Sequence, residues 1–311
     1  MGRRGDLKGK KSLRYAGLHA STLRAYQRAL KGFLSYANKS SVKLFRSSQL
    51  DECVSAYLDH CFQEGEPLSY AGHLLSALKR FHPYLKFKLP ESSQFYKNWT
   101  KTYHPTRAIP ASWELTEALM GYAVCHHQEE LGLLIGLGFI GMLRTAEMLA
   151  LTFQHLVIHR DHHSVSMVIP TSKTSSGNPQ VIQVSDHQMV RMILRLRGKH
   201  HKRLLWAKSN QAFRNAFDQL VMGLGFHSRT YVPYALRRGG ATYHFQTYRN
   251  LDLTVQQGRW ACPKTARQYL DSGTCQLAHV HWSRTQAKRV LKYRLKGRDW
   301  RLRQKNGKLE H

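Results

Sequence analysis

The chain has 311 residues and carries 48 Lys and Arg against 19 Asp and Glu, a formal net charge of +29. That length supports two domains with real cores, and the charge excess goes beyond what solubility asks for; it points to a polyanion, most economically nucleic acid, as partner. A membrane role is not expected, because the longest apolar run, Leu131 to Leu143, is too short to span a bilayer and is broken by Gly132, Gly136, Gly138 and Gly141.

Residues 1–17 are basic and Gly-rich without periodicity, lack the apolar core of a signal peptide, and read as a flexible arm. From Ser21 the pattern turns helical, with Leu23, Tyr26, Leu30, Phe33, Leu34 and Ala37 at three- and four-residue spacing. A second helix runs from about Ser48 and stops near Gly65-Glu66-Pro67, a third covers Ser69 to Phe81, and a shorter fourth covers Ser92 to Trp99. Short connections make these a small bundle over 18–100, whose Tyr and Phe residues sit on the periodic faces and are expected in its core. Lys101 to Pro110, with two prolines and no apolar period, is the expected linker.

The second domain is expected over 111–272. Trp113 to His127 and Glu129 to Gly141 read as helices, and the segment of Arg144 continues as a helix through Leu149. Val157 to Ile169 is strand-like, Thr171 to Pro179 is a turn, and Gln180 to Val184 returns as a second strand, which puts Lys173 near the tip of a β-hairpin. Helices follow around Asp186–Leu196, Asn210–Met222, Ala235–Tyr248, Leu253–Gln257 and Pro263–Leu270. The stretch 273–311 is set apart as a basic tail, since Arg284 to Lys308 holds eleven Lys or Arg against one acid, Asp299. The overall expectation is a mainly α protein with a small β-sheet (α+β).

Five cysteines (Cys53, Cys61, Cys125, Cys262 and Cys275) are scattered without CxxC spacing and read as reduced thiols of an intracellular protein, nuclear in a eukaryote and cytoplasmic or nucleoid-associated in a prokaryote. Cys125-His126-His127 has no second pair at ligand spacing, so neither a metal nor a cofactor is expected.

Chemistry concentrates in four segments. Gly141-Met142-Leu143-Arg144 is followed by Glu147, Leu149 and Leu151; Lys173 comes next; Tyr234-Ala235-Leu236-Arg237-Arg238 opens a helix rich in small residues; Gly258-Arg259-Trp260 precedes Tyr269 by nine residues counted from the tryptophan. Arginine, lysine, arginine and tyrosine, in that order, can hold and cut a phosphodiester. Two permanently charged planar guanidiniums neutralise the non-bridging oxygens as they gain charge, and a tyrosine hydroxyl attacks phosphorus. Met alone, each of these residues would be an ordinary surface group; their joint order carries the reading.

These segments, spanning roughly Ser21 to Tyr269, resemble the tyrosine recombinase (phage-integrase) superfamily. The resemblance implies a helical core-binding domain and a catalytic domain clamped on double-stranded DNA, with a homo-tetramer on two DNA sites. It implies that Arg144 and Arg237 bind the phosphate, that Tyr269 forms a 3′-phosphotyrosyl link, and that Lys173 protonates the leaving 5′-oxygen. Trp260 would pack or hydrogen-bond against the phosphate or serve as a core tryptophan, and Glu147 would orient its neighbours or act as a helical partner of Arg144. Arg238 and Arg259 are expected to contact the DNA backbone. The family's His-x-x-Arg box usually begins with histidine, where Tyr234 stands here; a phenol titrates near ~10 and is no base at neutral pH. Two further readings fit the same residues: a recombinase-derived DNA-binding protein with impaired chemistry, and a type IB topoisomerase-like enzyme.

Overall fold

In the computed structural model of the chain, the described residues are 15, 17–39, 46–103, 108–160, 162–169, 180–197, 202–270 and 281–302. The chain divides into two compact units, 1–106 and 107–311.

The first unit is helical. Helices α1 (Ala20–Lys39), α2 (Ser47–Gln63), α3 (Leu68–Phe81) and α4 (Pro90–Thr102) pack around Ala29, Phe33, Val54, Leu58, Leu74 and Leu78, the residues that recur at helical spacing. The aromatic residues Phe33 and Tyr57 are in that core, and the Tyr57 and Tyr70 hydroxyls meet at 3.1 Å. A 3₁₀ turn over Pro83–Phe87, absent from the sequence-based expectation, joins α3 to α4. The start of α4 is capped from another helix. Buried Asp51 of α2 accepts the Glu91 and Ser92 backbone N–H groups at 2.9 and 3.0 Å, meeting donors that Pro90 at the first turn cannot satisfy.

The second unit is built around α6 (Glu129–Ile140), in which every residue from Leu131 to Phe139 is buried. A helix apolar on all sides must be covered on all sides. Its covers include α5 (Trp113–Cys125), α8 (His187–Arg197) and α10 (Tyr234–Tyr248). Further helices of this unit are α7 (Thr145–Leu149), α9 (Asn210–Gly223), α11 (Leu251–Gly258) and α12 (Pro263–Arg267). Ser112, Ser209 and Asn250 cap α5, α9 and α11 with side-chain oxygens that accept from the backbone three residues on.

The sheet has three antiparallel strands, β1 (Leu156–Ile158), β2 (Val165–Ile169) and β3 (Gln180–Val184), in that order, with Leu156 opposite Met167 and Ile169 opposite Gln180. Val165, Met167 and Ile169 point inward with Ile182 and Val184. The sequence reads 157–169 as one strand-like run; the structure breaks it after Ile158, where the His159 and His162 turn reverses the chain. The connection 170–179, which includes the expected hairpin tip at Lys173, lies outside the described residues.

The segment 273–311 is more than an appended tail. Helix α13 (Arg284–Leu302) packs along α5 within the second unit. Buried Glu117 accepts from Arg294 Nε at 2.6 Å and Arg298 Nε at 3.2 Å, and Gly121 faces Gly297 so closely that a Cβ on Gly121 would collide with the Tyr293 carbonyl. Backbone cannot yield as a flexible side chain can. Gly121→Ala is therefore expected to destabilise the protein by about 1–3 kcal/mol and to raise protease sensitivity of α13, read by denaturant unfolding and limited proteolysis. An unchanged unfolding midpoint would show that the two helices have room to spare.

Candidate active site

The site starts with α10. Tyr234 and Arg237 are three residues apart, hence on one side of the helix, and Ala241 follows one turn later. Gly239 and Gly240 let the helix approach closely: a Cβ on either would collide with a backbone carbonyl, of Ala111 and of Phe139 respectively. That approach puts Arg237 into the interior at 0 % exposure.

A buried guanidinium needs acceptors. Arg237 donates through Nη1 to the Met142 carbonyl and through Nη2 to the Gly258 carbonyl at 2.8 Å, while its plane lies against Trp260 and Tyr269, with Cζ 4.7 and 5.4 Å from the ring centroids. Its Nε finds no partner among the described residues. Burial first, then the neighbouring charges of Arg144 and Arg259, pull its pKa down to about 10, so it remains a cation at neutral pH.

The turn between α6 and α7 provides the acceptors and a second arginine. Met142 adopts a left-handed conformation, φ 46°, which an L-residue takes only when its surroundings hold it there. Glu147, 2 % exposed, reaches back across the start of α7. Its carboxylate accepts from the Arg144 backbone N–H at 2.9 Å, from Arg144 Nη1 at 2.6 Å and from Arg259 Nη2 at 2.8 Å. Burial pushes the Glu147 pKa up, but these donors and the Arg259 charge outweigh it, and the net direction is down. Glu147 thus aims Arg144, whose side chain keeps 28 % exposure, and is also its i,i+3 partner.

Arg259 and Arg238, expected to contact the DNA backbone, are both buried in this structure. Arg259, at the left-handed end of α11, is buried and donates to the Gly141, Gln257 and Met142 carbonyls as well as to Glu147. Arg238 is 4 % exposed and donates to the Ala108 carbonyl at 2.7 Å. Their charges are used inside the unit, where they fix backbone. The sequence carries one signal for Arg259: a carboxylate at Glu147 that is to be buried needs more than one cation.

Tyr269 follows α12. Its backbone N–H donates to Ala266 and its carbonyl accepts from the Thr242 hydroxyl of α10 at 3.2 Å. Trp260 packs on it with ring centroids 4.8 Å apart, its indole N–H buried and directed to no well-aligned acceptor other than Tyr269. The Tyr269 hydroxyl accepts a hydrogen bond from Tyr234 at 2.6 Å. Burial pushes the Tyr269 pKa up, yet the Tyr234 hydrogen bond, the Arg237 charge and Trp260 bring the net direction down. Tyr234, 41 % exposed, moves up, through burial and that same hydrogen bond.

Five of the six residues expected to be catalytic therefore meet in one place: Arg144, Tyr234, Arg237, Trp260 and Tyr269, with Glu147 behind them. The sixth, Lys173, lies outside the described residues. Three guanidiniums face one carboxylate, and the surplus positive charge, together with Nε and indole donors beside an acidified phenol, suits a tetrahedral or pentacoordinate phosphate. What the sequence did not offer are the carbonyls of Met142 and Gly258 and the Thr242 anchor, which are backbone or generic groups.

Glu147→Ala would leave Arg259 buried beside carbonyls alone. It is expected to destabilise by about 3–5 kcal/mol, measured by urea unfolding, with part of that loss recovered by adding Arg259→Met. Because folding lowers the Glu147 pKa, its ionic contribution is complete above the unfolded value of about 4.3 and disappears as pH falls through the lower folded value.

Residues 13–88 match the family described as phage integrase, N-terminal SAM-like domain. No curated relative matches the chain in sequence. Among solved structures, the XerH site-specific recombinase bound to a palindromic difH substrate in a post-cleavage complex aligns with a TM-score of 0.60 at 18 % identity, covering 86 % of this chain and 81 % of that one. Lambda integrase residues 75–356, as a dimer bound to a COC′ core site, gives a TM-score of 0.60 at 14 % identity over 84 % of this chain and 92 % of the other. The Tn1549 transposon integrase in complex with transposon right end DNA gives 0.58 at 10 % identity over 86 % and 96 %. The chain thus carries a phage-integrase-type N-terminal SAM-like domain and has the fold of the tyrosine recombinases.

Proposed function

We propose that the chain cuts and rejoins double-stranded DNA by site-specific strand exchange, with Tyr269 as nucleophile. The observation that carries this reading is the meeting of Arg237, Trp260 and Tyr234 around the Tyr269 hydroxyl, beside an Arg144 aimed by Glu147. Tyr269 releases its proton to water, its phenolate oxygen attacks the scissile phosphorus, the bond from phosphorus to the 5′-oxygen breaks, and a 3′-phosphotyrosine keeps the energy of the phosphodiester. Arg144 and Arg237 balance the charge that gathers on the non-bridging oxygens. The leaving oxygen takes a proton, a role that the resemblance gives to Lys173. Attack by the 5′-hydroxyl of a second strand reverses the steps and completes the exchange without an external energy source.

The +29 charge supports a DNA partner. The proteins of like fold are bound to DNA in their structures, which supports a DNA partner; the homo-tetramer on two sites, inside the cell, is proposed from the resemblance alone. No helix among the described residues is long and apolar enough to cross a membrane. The 18–100 bundle is proposed to be the core-binding half, 111–272 the catalytic half, and 101–110 the linker.

The test is a nicked duplex from the DNA flanking the gene, incubated with the protein and a metal chelator and resolved on a denaturing gel. Wild type is expected to yield a covalent protein–DNA band, Tyr269→Phe none, and Arg144→Ala a band formed about 10²–10³-fold more slowly. A band persisting in Tyr269→Phe would refute the nucleophile. Salt-sensitive binding of that duplex with no band at any pH would favour the impaired DNA-binding reading, which rests on Tyr234 standing in the histidine position.

A further inference from the structure

We propose that Tyr234 is a positioning donor for the nucleophile: its hydroxyl donates a hydrogen bond to the Tyr269 oxygen and holds that oxygen for attack. A bond donated in this sense is stronger to a phenolate than to a phenol. The inference rests on Tyr269 being the nucleophile and adds how this chain activates it. A histidine in the first place of the Tyr-x-x-Arg box could accept the nucleophile's proton. A phenol cannot do so at neutral pH, so the same position must contribute in another way or not at all.

The geometry supplies that way. The two hydroxyl oxygens are 2.6 Å apart, at the close end of the range for hydroxyl hydrogen bonds and a distance that a charged acceptor also fits. The rings stand 5.8 Å apart and tilted by 55°, so the contact is made by the hydroxyls and not by stacking. Of the two oxygens, Tyr269's is the one a cation favours, because the Arg237 guanidinium lies over the Tyr269 ring. The pair is therefore polarised, with Tyr234 as donor and Tyr269 as acceptor. In line with this, Tyr234 stays protonated to higher pH than an ordinary tyrosine and Tyr269 ionises at lower pH.

The surroundings are cationic and favour ionisation of either phenol; at Tyr234 the charges of Arg237 and Arg238 are outweighed by burial and by the hydrogen bond to Tyr269. Arg237 and Arg238 approach from α10, and Arg144 with its partner Glu147 from the start of α7. Arg259 precedes Trp260 after α11, and α12 itself carries exposed Lys264 and Arg267. Among these described residues Glu147 is the anion, and it is occupied by Arg144 and Arg259. Attack by Tyr269 needs a lone pair on its oxygen free for phosphorus. A hydrogen bond donated to that oxygen leaves other lone pairs available, whereas one donated by it would consume its proton in the wrong place.

Two measurements on the full chain test the proposal, and they fail separately. The first needs no DNA. With tyrosine Cζ carbon-13 labelled, the resonance absent from Tyr269→Phe is followed against pH in wild type and in Tyr234→Phe, which keeps the ring and removes only the donor. The Tyr269 midpoint is expected to rise in Tyr234→Phe with thermal stability unchanged; an unmoved or lowered midpoint overturns the proposal. The second is the rate of adduct formation on the nicked duplex. Tyr234→Phe is expected to be about tenfold slower near neutral pH, and the gap to wild type should close as pH rises and ionises Tyr269 in both. A pH-independent deficit would mean a purely structural role and would also overturn it. A midpoint that moves as expected in a protein forming no adduct would keep the hydrogen bond and refute instead the nucleophile assignment on which the proposal rests.

Discussion

A single buried cation constrains the second unit. Arg237 lies at 0 % exposure, and a guanidinium there without acceptors would cost several kcal/mol. Two carbonyls, from Met142 and Gly258, and two aromatic faces, from Trp260 and Tyr269, answer that demand. They come from three segments, so satisfying Arg237 fixes the turn after α6, the end of α11 and the segment after α12 relative to α10. The Met142 turn, left-handed at φ 46°, is tolerated because its carbonyl is needed where it points.

The second constraint is how the charges are shared. Glu147 could pair with one arginine at the surface; buried, it holds two, and its carboxylate also caps the helix that follows Arg144. Arg259 is spent inside, on carbonyls and on Glu147, whereas Arg144 is left half-open and aimed. The positive charge that remains unbalanced sits next to Tyr269. The same surplus charge that would favour a phosphate would also make a phenolate less costly, so the two proposed roles rest on one electrostatic feature.

Much of this was legible in the sequence because it is periodic or ordered along the chain. Leu23, Leu30, Phe33 and Ala37 give α1 by spacing, and Leu74, Leu75 and Leu78 give α3. The sequence order of Arg144, Arg237, Trp260 and Tyr269 identifies the residues that the fold later brings together. What was not legible depends on burial and on distant backbone. Arg238 and Arg259 look like any basic surface residue until the carbonyls of Ala108, Gly141 and Met142 are in place. The helix α13 looked like a tail because charge dominates its composition; its anchors, Glu117 and Gly121, lie more than a hundred residues earlier. The three-residue β1 is too short to announce itself beside a histidine-rich turn.

The guanidinium of Arg237 is held in place and charged, with its Nε lacking a partner among the described residues. The direct measurement is the side-chain Nε–H signal of Arg237 by nitrogen-15 NMR, assigned by its loss in Arg237→Lys, in free protein and with an uncleavable duplex bound. A single sharp, slowly exchanging signal in free protein that shifts when the duplex binds is the predicted result. A signal averaged with those of surface arginines, or one that the duplex leaves unmoved, would contradict the account.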